Sequence, residues 1–175
     1  MPITIKALPP LAAALLISAC AVQRENVPIT TPFNESDFSW SSGTGGAGLK
    51  GQGFMKTVGG DVKTCAGNEV VLVPANAYTR EMTSIWRQKG IERVNPVRDQ
   101  RYNDYRRTTL CDAAGNFAFE DLPQGPWIVN VPVSWGVPHQ YGVSQQGGNL
   151  MREVSLPGGQ TQTIILTERD MLPMR

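Results

Sequence analysis

One histidine, His139, serves a chain of 175 residues. That scarcity excludes much catalytic chemistry. A catalytic zinc usually takes three ligands from His, Cys or carboxylate. A triad needs a base held beside an activated nucleophile. Ser134 and Ser144 lie near His139 in sequence, but no nucleophile motif surrounds either. An excess of one charge sign is also missing: 16 basic side chains face 15 acidic ones. Such a balance gives no case for a nucleic-acid partner. Asp112 and Asn116 fall short of the oxygen ligands of a calcium loop. The glycine-rich stretch 43–50 lacks the Gly-Lys-Ser/Thr ending of a phosphate loop. We therefore expect no enzyme, no cofactor, no metal and no catalytic residue.

Long hydrophobic runs are absent too. Spanning a bilayer takes about 20 apolar residues, and the stretch from Ala7 to Ile17 is shorter and broken by Pro9 and Pro10. Lys6 precedes it, and Leu16-Ile17-Ser18-Ala19-Cys20 closes it. This is the grammar of a signal peptide. It resembles a bacterial lipobox, which implies a leader at 1–19 and lipidation of Cys20. Residue 21 is Ala, not Asp, so the inner-membrane retention signal of that class is missing. The expected address is the cell envelope: lipid-anchored in the outer membrane, facing the periplasm.

Cysteine is scarce, at three. With Cys20 assigned to lipid, Cys65 and Cys111 remain. An even pair in an exported chain reads most simply as a disulfide. Without residues 1–19 the basic and acidic side chains balance at 15 each.

Residues 20–45 are rich in Pro, Ser, Thr, Asn and Gly and read as a flexible tether. Phe33, Phe38 and Trp40 point to docking of part of it on the domain, with contact to a partner as the other reading. From residue 46 the pattern is β. Ala47, Leu49 and Met55 share one strand parity, Lys50, Gln52 and Lys56 the other. Val70-Val71-Leu72-Val73 is a short, fully apolar run. Val129, Val131, Val133 and Trp135 alternate, with Pro132 on the other parity suiting an edge. Residues 136–142, which include His139, read as a loop. Leu150, Val154 and Leu156, then Pro157-Gly158-Gly159, then Thr161–Leu166 read as a hairpin. Tyr78, Met82, Ile85 and Trp86 recur at helical spacing, which predicts a helix over 78–89 that stops before Gly90. The expected fold is mainly β: a seven-stranded, Greek-key-like sandwich with a short helix in an inserted crossover.

The insertion, 77–107, carries the candidate binding residues. Arg80, Arg87, Lys89, Arg93, Arg98, Arg101, Arg106 and Arg107 outnumber Glu81, Glu92, Asp99 and Asp104. Tyr78, Trp86, Tyr102 and Tyr105 are interleaved. Arginine and aromatics together suit an interface and can engage carboxylates, phosphates or sugars. We single out Tyr78, Trp86, Arg87, Arg98, Arg101, Tyr102 and Arg106 as a candidate partner-binding face. The competing reading makes Tyr78, Met82 and Trp86 anchors of the helix and leaves the arginines in solvent.

The stretch Asp112-Ala-Ala-Gly115-Asn-Phe117-Ala-Phe119-Glu-Asp-Leu122-Pro123-Gln-Gly125-Pro-Trp127 is a turn, a strand, a second turn and a strand. It resembles the carboxypeptidase regulatory-like, or transthyretin-like, β-sandwich domain, as found in small bacterial lipoproteins. The resemblance spans about residues 46–167 and includes Gly48-Leu49-Lys50-Gly51 and Glu69–Pro74. It implies a domain over 46–170 that serves as an accessory or interaction module, not one activity. Enzymes of this sandwich class place several histidines that this chain lacks. The expected function is a non-enzymatic envelope protein acting structurally or through a protein partner. The alternative is a carbohydrate- or peptidoglycan-binding module, and an envelope enzyme with an unfamiliar site ranks below both.

Overall fold

A computed structural model describes residues 23–173. The proposed leader and Cys20 lie outside the described residues. Among those residues no helix is long and apolar enough to cross a membrane.

The fold is a mainly β sandwich. The first sheet is built on β2 (Ala47–Lys56). Its partners are β3 (Val62–Thr64), β7 (Asn116–Leu122) and β10 (Thr161–Leu166). Residues 47–52 of β2 pair with β7, and residues 54–56 pair with β3. Gly53 donates its amide to the Gly115 carbonyl and accepts from Cys65, so β3 and β7 share one edge end to end. The second sheet runs β6 (Arg107–Leu110), β4 (Glu69–Pro74), β8 (Gly125–His139) and β9 (Gly142–Leu156).

Alternation explains the packing. Leu49, Phe117, Phe119, Trp127, Val129, Val131 and Leu166 point inward and form one core between the sheets. A side chain on Gly51 would strike the Phe117 ring, which explains a glycine in the middle of β2. Cys65 and Cys111 are bonded, with their Cα atoms 5.7 Å apart. This link staples the chain just after β3 to the chain just after β6. With 46 residues of separation, loop closure stabilises the fold by about 4 kcal/mol in the chain-entropy picture.

The second sheet is covered on its outer face as well. The insertion supplies α1 (Ala77–Lys89), β5 (Val94–Val97) and a 3-10 turn at Gln100–Tyr105. Asn76 and Thr79 cap α1 reciprocally, at 3.0 and 2.9 Å, and Gly90 ends it at φ 86°. Beneath α1 lies a second core of Phe38, Val73, Tyr78, Met82, Tyr102, Ile128, Met151 and Leu172. Val70–Val73 is a continuous apolar run because β4 is buried on both faces.

Three expectations are corrected. The stretch read as a tether joins the domain from Glu25 onward. There β1 (Glu25–Pro28) pairs in parallel with β5, and Phe38 is fully buried. The expected hairpin between β9 and β10 does not form. Instead, the turn after Leu156 carries the chain to the other sheet, where β10 pairs in parallel with β2. The segment 136–142 is not a loop, because β8 and β9 pair from Gly125–Leu156 out to His139–Gly142. Pro132 sits beyond the reach of β4, whose pairing with β8 stops at Asn130, so its missing N–H costs no ladder bond.

Candidate functional site

The insertion does not present its arginines as one face. Local partners sort them. Arg101 donates to both Asp99 oxygens and to Glu35, and its guanidinium lies 4.8 Å from the Phe33 ring centroid. It fastens the amino-terminal segment, and these carboxylates raise its pKa, Asp99 foremost. Tyr78 is buried, and its hydroxyl accepts from the Asp99 amide at 2.8 Å. Arg87 donates to the Met151 carbonyl at 3.1 Å. Arg80 pairs with Glu153 at 2.6 Å. Arg107 donates to the carbonyls of Ser41 and Gly43. Of the candidates, Arg101, Tyr78 and Arg87 are therefore occupied within the fold.

The other four meet. Trp86, Arg98, Tyr102 and Arg106 line a cleft of about 280 Å³ between α1, the 3-10 turn and the outer face of the second sheet. Its floor is apolar, from Val71, Val73, Met82, Ile128 and Met151. Exposed Arg98 and half-buried Trp86 and Arg106 stand at the rim. Small-molecule sites are mostly apolar concavities of about 300–1,000 Å³ with a few placed polar groups. This cleft falls just below that range.

The electrostatics of the cleft favour a ligand that accepts hydrogen bonds. Arg98 lies 5.7 Å from the Tyr102 ring centroid, and among the described residues it makes no ion pair. Arg106 has one carboxylate partner, Glu69, at 3.4 Å. Burial pushes the Tyr102 phenol up to about 12, against the opposing pull of Arg98 and Arg106. It stays protonated at physiological pH and can donate. Thr83 has committed its hydroxyl proton to the Thr79 carbonyl at 2.9 Å.

Asn130 also lines the cleft, and sequence reasoning missed it. Its Oδ1 is sealed from solvent and receives no hydrogen bond among the described residues. A buried acceptor without a partner costs about 1–3 kcal/mol. Nothing in the sequence signals this. Asn130 is one polar residue on an alternating strand, and only the layer over it makes its oxygen an orphan.

Other sequence candidates take structural places. Asp112 caps its turn, accepting from the Ala114 and Asn116 amides and from Asn116 Nδ2. The Asn116 side chain first, and these amides with it, hold its carboxyl below the ordinary value. His139 closes the β8–β9 hairpin, its Nδ1 accepting from the Tyr141 amide at 3.2 Å. Among the described residues no three His, Cys, Asp or Glu side chains gather in a metal-binding group.

No protein-family model matches the chain, and no curated protein does. The fold does match solved structures. One is a protein of Pseudomonas aeruginosa whose crystal structure is described as that of a "putative carbohydrate binding protein". The two share 23% identity and a TM-score of 0.68, over 79% of this chain and 99% of the other. At that identity the likeness shows the fold.

Proposed function

We propose that this chain is a non-enzymatic binding module of the bacterial envelope, held to the membrane by lipid on Cys20, and that the cleft under α1 takes a carbohydrate. The observation that carries it is the convergence of Trp86, Arg98, Tyr102 and Arg106 on one cleft. An indole wall offers a sugar its apolar face, and placed donors fix its hydroxyls. The structural neighbour's description supports the same ligand class. The Cys65–Cys111 link suits an oxidising compartment. The domain is of the carboxypeptidase regulatory-like kind, with the insertion as its recognition part.

Retention on immobilised envelope polysaccharide and peptidoglycan tests the site. Trp86→Ala is expected to lose retention while keeping its unfolding midpoint within a few degrees. Equal retention by the variant would end the reading. Mass spectrometry of the mature amino terminus tests the anchor: acyl chains on Cys20 are expected, and an unmodified terminus downstream of it would refute anchoring.

A protein-interaction role rests on a different place. The far end of the β8–β9 hairpin exposes Val137, Tyr141 and Val143, and Val58 on the β2–β3 turn lines the same groove as Val137. The nine residues from Asn130 to His139 put that tip roughly 30 Å from the cleft. Crosslinking from Tyr141 in intact envelopes would reveal a partner. An empty result there leaves the cleft as the working surface.

A further inference from the structure

We infer that the cleft selects an anionic sugar, a pyranose carrying a carboxylate or phosphate, and that Arg98 reads the charge. The inference rests on the cleft being the binding site and deepens that reading.

Donors and acceptors in the cleft are unevenly matched. The polar groups that line it are two guanidinium ions, a phenol kept protonated, the Asn130 carboxamide and the Thr83 hydroxyl. The guanidinium ions only donate, the phenol and the carboxamide can donate or accept, and Thr83, its proton committed to the Thr79 carbonyl, can only accept. Five N–H donors on each guanidinium outweigh these acceptors. An anionic group supplies acceptors without protons.

Charge points the same way. Most arginines of the insertion have an anionic or carbonyl partner within the fold. Arg98 has none among the described residues, and its exposed guanidinium lies 5.7 Å from the Tyr102 ring centroid. Arg106 shares a single, longer contact with Glu69. The rim thus carries two cations against one carboxylate. A guanidinium presents paired N–H groups that match the oxygens of carboxylate or phosphate. Trp86 and Met82, which line the same cleft, offer carbon surface to the ring face of a pyranose. Guanidinium charge and carbon surface in one cleft describe an acidic monosaccharide unit, and the volume of about 280 Å³ holds one unit rather than a long chain.

Isothermal titration of the purified full chain with four probes tests this: glucuronic acid, its methyl ester, glucose 6-phosphate and glucose. At least one acid is expected to bind at least about tenfold tighter than its neutral counterpart, the scale of a charge-assisted hydrogen bond. Arg98→Gln is expected to erase that margin with the circular dichroism unchanged, and added salt to shrink it in the wild type. Which acid wins distinguishes carboxylate from phosphate. If all four bind alike and Trp86→Ala abolishes binding, the charge inference falls and the carbohydrate site stands. If none binds, both fall. If an acid is preferred but Arg98→Gln keeps the margin, the role given to Arg98 is wrong.

Discussion

The two cores of this molecule are built from different materials. The core between the sheets is largely aliphatic, comes from alternating strand positions, and is closed by a disulfide. The core beneath α1 is richer in aromatic rings and is assembled from separated parts of the chain. Phe33 and Phe38 come from the amino-terminal segment, Tyr78, Tyr102 and Tyr105 from the insertion, and Ile128 and Met151 from the sheet. Phe38 stacks on Phe33 with ring centroids 4.7 Å apart and lies tilted against Tyr105 at 4.8 Å. Aliphatic side chains on two pleated faces interdigitate to native density. Large rings packed against a helix and a 3-10 turn leave a gap, and the gap is the cleft. The first core holds the fold, and the second pairs support with a vacancy.

The sharpest way to break this contrast is to truncate one ring in each core. Trp127 is fully buried, touches Trp40 at 5.2 Å and donates to the Pro123 carbonyl. Trp127→Ala is expected to cost about 3–5 kcal/mol in urea unfolding, with one cooperative transition. Phe38→Ala removes an equally buried ring, but the expected loss is nearer the low end, about 3 kcal/mol. Part of the cost is avoided by local release of the segment carrying it. Hydrogen exchange separates the two. Phe38→Ala should deprotect the Glu25 amide, which bonds the Arg93 carbonyl, and spare the amides of β8. Uniform deprotection in both variants would mean that the two cores are one unit.

That contrast also explains what could be read in the sequence. The inner core was legible because it obeys period two: the Phe117–Phe119 alternation, the valines of β8 and the Cys65–Cys111 pair stand where expected. The helix was legible because Tyr78, Met82 and Trp86 keep its spacing. The docking of 25–41 was only half visible, because Phe33 and Phe38 follow no period and sit among turn-forming residues. The β9–β10 error has another cause. Two alternating runs joined by Pro-Gly-Gly look the same whether the second folds back or crosses to the other sheet, and the free edge of β2 decides. Arg98 and Arg101 are three residues apart and indistinguishable in sequence. Their difference comes from Asp99, which takes Arg101 and not Arg98, and from Glu35, which binds Arg101 across 66 positions.

A smaller effect probes how the amino-terminal segment is held over the second core. Glu81 on α1 accepts from the Thr30 amide and hydroxyl and from the Thr31 amide, each at 2.7 Å. Bonds from Thr31 first, then Thr30, lower its carboxyl from 4.5 to about 2. The folded value lies below the unfolded one. The stabilisation is therefore complete above about pH 4.5 and is lost as pH falls through about 2. Protection of the Thr30 and Thr31 amides should follow that course in the wild type. In Glu81→Gln it should start lower and lose this pH dependence. A variant that keeps the wild-type acid limb would show that another carboxylate holds the segment.

The smallest change sharpens the comparison most, because it asks whether the vacancy is a defect or a device. Asn130 carries an oxygen that receives no hydrogen bond among the described residues, in the middle of a strand where valine would fit both the pleat and the apolar floor. Asn130→Val removes the orphan acceptor and is expected to raise stability by about 1 kcal/mol, seen as a higher urea midpoint at unchanged slope. The same variant takes a polar group out of the cleft and should weaken ligand binding. A more stable protein that binds less would mean that the polar group is kept at the expense of the fold, as binding sites commonly require. If Asn130→Val is instead less stable, its carboxamide supports the second core, and the cleft owes its donors to Arg98, Tyr102 and Arg106 alone.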